Sequence, residues 1–141
     1  MLVLAAAGLP AGCERQGADT GESIGLPAGV DDAFVPDTIE GSYRVSRLNG
    51  RPLERTQPLL VTIDEAVVTF SSGCIRRRWT HAYAQGALDP NESPMTSCRR
   101  GPSPTEAEAI AVLGAPGFLL MTPEGALVLQ GERGVLILSS P

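Results

Sequence analysis

At 141 residues, 43% of them hydrophobic, the chain can bury one core of about 100 residues and carry an appended segment, but it cannot support two domains. Its net charge of −5 argues against nucleic acid as a partner. That charge is uneven: five acids face one arginine between Glu14 and Pro36, whereas from Asp37 onward eleven acids face ten arginines, so the excess lies in the N-terminal quarter.

The chain opens "MLVLAAAGLPAGC", a short apolar run that ends in small residues before a cysteine. It reads as an export signal and is too brief for a membrane span of about 20 residues. Ala11, Gly12 and Cys13 resemble the end of a bacterial lipobox. The resemblance implies a lipoprotein-type signal peptide at residues 1–12, lipidation of Cys13, and an exported, periplasmic protein held by its N-terminal lipid anchor, with Glu14 pointing to the outer membrane. Residues 13–37, rich in Gly, Asp, Glu and Pro and without apolar period, read as a flexible acidic tether. With Cys13 acylated, Cys74 and Cys98 remain as a pair, and an oxidising compartment is expected to join them in a disulfide.

Residues 38–141 carry short apolar runs broken by turn residues, the pattern of a small, mainly β domain. "SYRVSRL" alternates Tyr43 and Val45 with Arg44 and Ser46 and runs into Asn49-Gly50, a hairpin signal. "LLVTI" and "VVTF" flank a turn at Asp64-Glu65-Ala66. Asp89 to Glu92 read as a solvated turn. "SPTEAEAIAVLG" predicts the single α-helix, about 104–113, with Ser103 as N-cap, Pro104 at the first helical position, Glu106 three residues after the cap and Gly114 just past the end. Ala107, Ile110 and Ala111 are expected to face the sheet. "FLLMT", "ALVLQ" and "GVLILS" predict a closing meander.

In order and spacing these features resemble the META domain, or HslJ-like, family over about Ile39 to Ser139. The resemblance rests on "IEGSYRVSRLNGRPL", "SGC" at Ser72 to Cys74, "MTSC" at Met95 to Cys98, and a Glu-containing helix before the final strands. It implies a compact antiparallel β-barrel-like domain with one helix, often attached to a lipoprotein signal and linked to envelope stress and antibiotic tolerance. The chain departs from the family at Ile75, where an Asn is usual, and in "RRRWTHAY".

No catalytic residues are identified. Cys74 and His81 could form a thiolate–imidazole pair, but Cys98 offers Cys74 a disulfide partner and no oxyanion-stabilising motif accompanies it. One histidine and two paired cysteines do not make a zinc site, and no phosphate-binding loop is present, so no metal or cofactor is expected. The arginines are the candidate site. Arg76, Arg77, Arg78, Arg99 and Arg100 are half of the ten from Asp37 onward, and the Cys74–Cys98 link would gather them. Strand alternation sends Arg76 and Arg78 to one face with Cys74, and Arg77, Trp79, His81 and Tyr83 to the other. The cluster reads either as a charged edge strand that discourages sheet-to-sheet association or as a surface for an anionic small ligand or an envelope protein. The expected function is a non-enzymatic, lipid-anchored binding protein. The alternative is a periplasmic inhibitor of a secreted hydrolase.

Overall fold

A computed structural model describes residues 32–56, 58–93 and 98–141. The expected signal peptide, Cys13, the greater part of the tether and Met95 to Ser97 lie outside the described residues.

Among the described residues, nine strands and one helix follow one another: β1 (Gly41–Leu48), β2 (Arg51–Pro52), β3 (Leu60–Ile63), β4 (Val67–Ser72), β5 (Ile75–Ala84), β6 (Ala87–Ser93), α1 (Pro104–Gly114), β7 (Phe118–Met121), β8 (Leu127–Gly131) and β9 (Gly134–Ser139). All pairings between named strands are antiparallel. β1 meets β9, closing an eight-stranded barrel in the order β1-β3-β4-β5-β6-β7-β8-β9, while β2 lies as a two-residue flap on the end of β1. The mainly β, barrel-like architecture with one helix is therefore present.

Closure follows from alternation. Val61 and Ile63, Val68 and Phe70, Leu127 and Leu129, and Leu136 and Leu138 point inward and are buried in one hydrophobic core, each contributing roughly 1.5–3 kcal/mol of burial. β1 breaks the period once: Tyr43 and Val45 are inward, and the next buried residue is Leu48. A register shift against β9 between Val45 and Arg47 accounts for the extra residue, as a bulge does. Asn49 and Gly50 both take positive φ, 50° and 83°, the conformation that the two-residue β1–β2 hairpin demands. The β3–β4 turn is held by the Asp64 carboxylate, which accepts from the amides of Ala66 and Val67 at 2.9 and 2.7 Å.

Three expectations are corrected. Asp89 to Glu92 belong to β6 and pair with β5 from Trp79 to Ala82. Their turn-like composition is tolerated because β7 is only four residues long and meets β6 at a single pair, Ala87 with Phe118. His81 N–H donates to Ala66 O, in the turn just before β4, so the His81–Pro90 pair makes no bonds between β5 and β6, and the nitrogen that Pro90 lacks as a donor faces away from β5. Second, α1 buries Glu106, Ala109, Val112 and Leu113, leaving Ala107 and Ala111 exposed and Ile110 half-buried. Alanines are small enough to face either way, and the branched residues decide. The helix packs against β6, β8 and β9. Third, the expected tether does not run free to residue 37. Phe34 exchanges two backbone hydrogen bonds with Met121, at 2.9 and 2.7 Å, and the Tyr83 hydroxyl donates to Pro36 O at 2.5 Å. Residues 34–40 thus form a strap running from β7 past Tyr83 to the start of β1.

Candidate functional site

The end of the barrel near α1 is organised by the β4–β5 hairpin. Gly73 turns it at φ 58°, and the next residue, Cys74, is joined to Cys98 with their Cα atoms 5.7 Å apart. The expected disulfide is therefore present, and it pins the segment from Cys98 to Ser103 against the hairpin. In the chain-entropy model a closed loop of about 25 residues stabilises the fold by about 3–4 kcal/mol.

That pinned segment delivers Arg100 to the start of α1. Its guanidinium donates to both carboxylate oxygens of Glu106, at 3.0 and 3.2 Å, and more distantly to Ser72 O at 3.4 Å and Gly101 O at 3.3 Å. Glu106 is only 6% exposed, and Ser103 Oγ caps the helix by accepting from its amide. Burial raises the Glu106 pKa, but hydrogen bonds from Arg100 and Ser103 outweigh it and hold the carboxyl below its ordinary range. Both terminal nitrogens of Arg100 are committed to these contacts. Arg100 is a clamp between hairpin, loop and helix.

Beside the clamp lies a cleft of about 670 Å³, with Arg76, Ser71 and Leu60 on its strand wall and Pro58, Ser103 and the Arg100–Glu106 pair around it. The register explains the wall. Leu60 on β3 stands opposite Ser71 on β4, which stands opposite Arg76 on β5, so all three project outward in one row, with Arg44 of β1 at its far end. The next row is Ser42, Thr62, Thr69, Arg78 and Ser93. This outer face offers hydroxyls and guanidiniums and no acid in either row. Leu60 is unusual there, a large hydrophobic side chain left 38% exposed.

Of the five clustered arginines, the structure brings Arg76 and Arg100 together. Arg76 is exposed and makes no ion pair among the described residues. Arg77 lies on the inward-facing column of β5 but reaches Glu92 at 3.6 Å. Arg78 is exposed one row farther along, and Arg99 is exposed on the loop. The charged-edge reading does not hold from Arg78 onward, because β5 there has a neighbour on each side.

The alternation expected for β5 is present, yet it disperses the proposed site. Trp79 is 2% exposed and belongs to the core. His81 and Tyr83 stand at the strap end, beside a shallow hollow of about 190 Å³ that also includes Asp37, Glu40 and Asp64. His81 Nε2 lies 2.8 Å from Asp64 O, while Nδ1 is buried without a partner. Burial raises the Tyr83 pKa. Seven residues of extended strand, roughly 24 Å, separate His81 from Cys74, and the thiolate–imidazole pair is not assembled. Among the described residues no group of three or more His, Cys, Asp or Glu side chains could hold a metal ion, and no helix is long and apolar enough to cross a membrane.

Sequence reasoning missed Glu106 as a site residue, treating it as a capping residue only. The missing signal was its pairing with Arg100, six residues earlier. Ser71 and Leu60 were also missed, because their place beside Arg76 depends on cross-strand register. No protein-family model, curated protein or solved structure matches the chain.

Proposed function

We propose that the domain is a non-enzymatic binding module that takes an anionic group in the cleft at Arg76. One observation carries this reading: Arg76 is a cation without an acidic partner among the described residues, fixed on a strand beside a hydroxyl and an exposed leucine, while the neighbouring acid, Glu106, is neutralised by Arg100. A guanidinium presents parallel N–H donors suited to a carboxylate or phosphate, and Ser71 can add a third donor. Binding is favoured over catalysis because Cys74 is tied in a disulfide and His81 stands at the other end of the barrel.

The wider setting in this reading is a META-like domain of an exported protein, lipid-anchored through Cys13 to the outer membrane and acting in envelope stress or antibiotic tolerance. The sequence motifs support it. The strap also fits, since it ties the start of the domain to β7 and would carry the pull of an anchor into the barrel wall.

Titration with acetate and inorganic phosphate, followed by amide chemical shifts, tests the site. Shifts should centre on Ser71, Gly73 and Arg76, and Arg76→Ser should weaken binding at least tenfold, with Arg78→Ser as the control that does not. Equal binding by the Arg76→Ser protein would remove the proposal.

A further inference from the structure

The cleft at Arg76 does not end at Glu106. A second hollow of about 430 Å³ shares Ser72, Ser103 and Glu106 with it and continues toward Leu53, Glu54 and Leu59. The two hollows adjoin at these shared residues, beside the N-terminal turn of α1, and are taken together as one groove with an arm on either side. Its ends have opposite charge. At one end stands Arg76; at the other stands Glu54, exposed, accepting from the Thr56 hydroxyl at 3.4 Å and without an ion pair among the described residues. Between them the charges cancel, because Glu106 is bound to Arg100. The middle is lined by the hydroxyl-bearing Ser72 and Ser103 and, along the walls, by Leu59 and Leu60.

We propose that this groove binds a short zwitterionic peptide, with its terminal carboxylate on Arg76 and its terminal ammonium on Glu54. The assignment rests on the anion-binding reading of Arg76 and deepens it. A polyanion would meet Glu54 with like charge. A fatty acid would satisfy the leucines but place methylenes against Ser72 and Ser103, where a peptide offers carbonyls and amides. A sugar acid would use Arg76 and leave Glu54 without a partner. An uncapped peptide matches all three parts: two ionic ends, a hydrogen-bonding middle, and small side chains against an apolar wall. At about 3.3–3.6 Å per extended residue, two to four residues span roughly 7–14 Å, which sets the range of peptide lengths to test.

Calorimetry on the disulfide-bonded protein at low ionic strength tests the assignment with di-, tri- and tetra-alanine, each free, N-acetylated or C-amidated. The free peptide of fitting length should bind, and each cap should weaken binding at least fivefold. Glu54→Gln should abolish the penalty of N-acetylation and leave that of amidation; Arg76→Ser should do the reverse. If acetate and the N-acetylated peptide bind at Arg76 as well as the free peptide does, the peptide assignment fails and the anion reading stands. If amidation costs nothing, the anion reading fails and the peptide assignment falls with it.

Discussion

The two ends of the barrel use polar side chains in opposite ways. At the strap end, side-chain donors are spent on the protein's own backbone: Tyr83 on Pro36 O, Tyr43 on Ile39 O at 2.9 Å, and His81, through Nε2, beside Asp64 O. These contacts hold the strap and the β3–β4 turn in place. At the α1 end, Arg100 is spent in the same manner, on Glu106, Ser72 and Gly101, but Arg76 and Glu54 beside it are not. A polar group that satisfies the fold is unavailable to a ligand. The end with unspent charge of both signs is the one equipped to bind, and the clamp is what holds those charges around a groove.

The largest expected effect is on the covalent half of that clamp. Replacing Cys74 and Cys98 by Ser should lower unfolding stability by about 3–4 kcal/mol in a denaturant titration, since the unfolded chain regains the freedom of a 25-residue loop. It should also release the segment that carries Arg100. Under the comparison drawn above, the α1 end should then show faster amide exchange while the strap end is unchanged. Equal loosening at both ends would show that the groove is no separate device.

Next in size is the ionic half. Arg100→Ala takes the guanidinium donors from a buried carboxylate and leaves it only Ser103, which should cost roughly 1–3 kcal/mol. Adding Glu106→Gln should recover part of that loss, because a neutral amide is cheaper to bury unpaired. The same pair predicts an acid limb. Glu106 has a folded pKa below its ordinary value near 4.5, so its contribution is present above that value and is lost as pH falls from there through the lowered one. A hydrogen bond from Asn49, together with Arg51, holds the half-buried Glu108 carboxyl low in the same way, so the limb has more than one source. A stability–pH profile should fall below about pH 4.5, and less steeply in Arg100→Ala. Identical slopes in the two proteins would detach Glu106 from the limb.

How much of this was legible depended on whether the information was local. Turns and strand alternation are set by neighbours in sequence, so Asn49-Gly50, the Asp64 turn and the shared face of Arg77, Trp79, His81 and Tyr83 could be read directly. The helix cap was equally local, Ser103 with Glu106. The disulfide was accessible by elimination, through cysteine count and compartment. The row Leu60–Ser71–Arg76 was not, because it needs the register of three strands. Nor was the burial face of α1, where Ala107 and Ala111 carried a helical period but packing against β6, β8 and β9 selected Val112 and Leu113. The strap defeated composition altogether: Phe34 to Asp37 share the turn-rich character of the residues before them, and they are held by hydrogen bonds to the backbone of Met121 and from the hydroxyl of Tyr83.

The smallest effect sharpens the comparison from the other side. Tyr83→Phe deletes one hydroxyl whose partner is the backbone of Pro36, and the ring itself can stay packed. The loss should be about 1 kcal/mol, the net worth of one intramolecular hydrogen bond. Its signature is location. Amide exchange should rise at Phe34 and at its partner Met121, where the strap is held by two backbone bonds, while Arg100, Ser103 and Glu106 keep their protection. Anion binding at Arg76 should be unaltered, because the strap lies at the opposite end from the clamp. A Tyr83→Phe protein that binds more weakly would mean that the strap and the groove are coupled through the core, and that the division between a stitched end and a binding end is wrong.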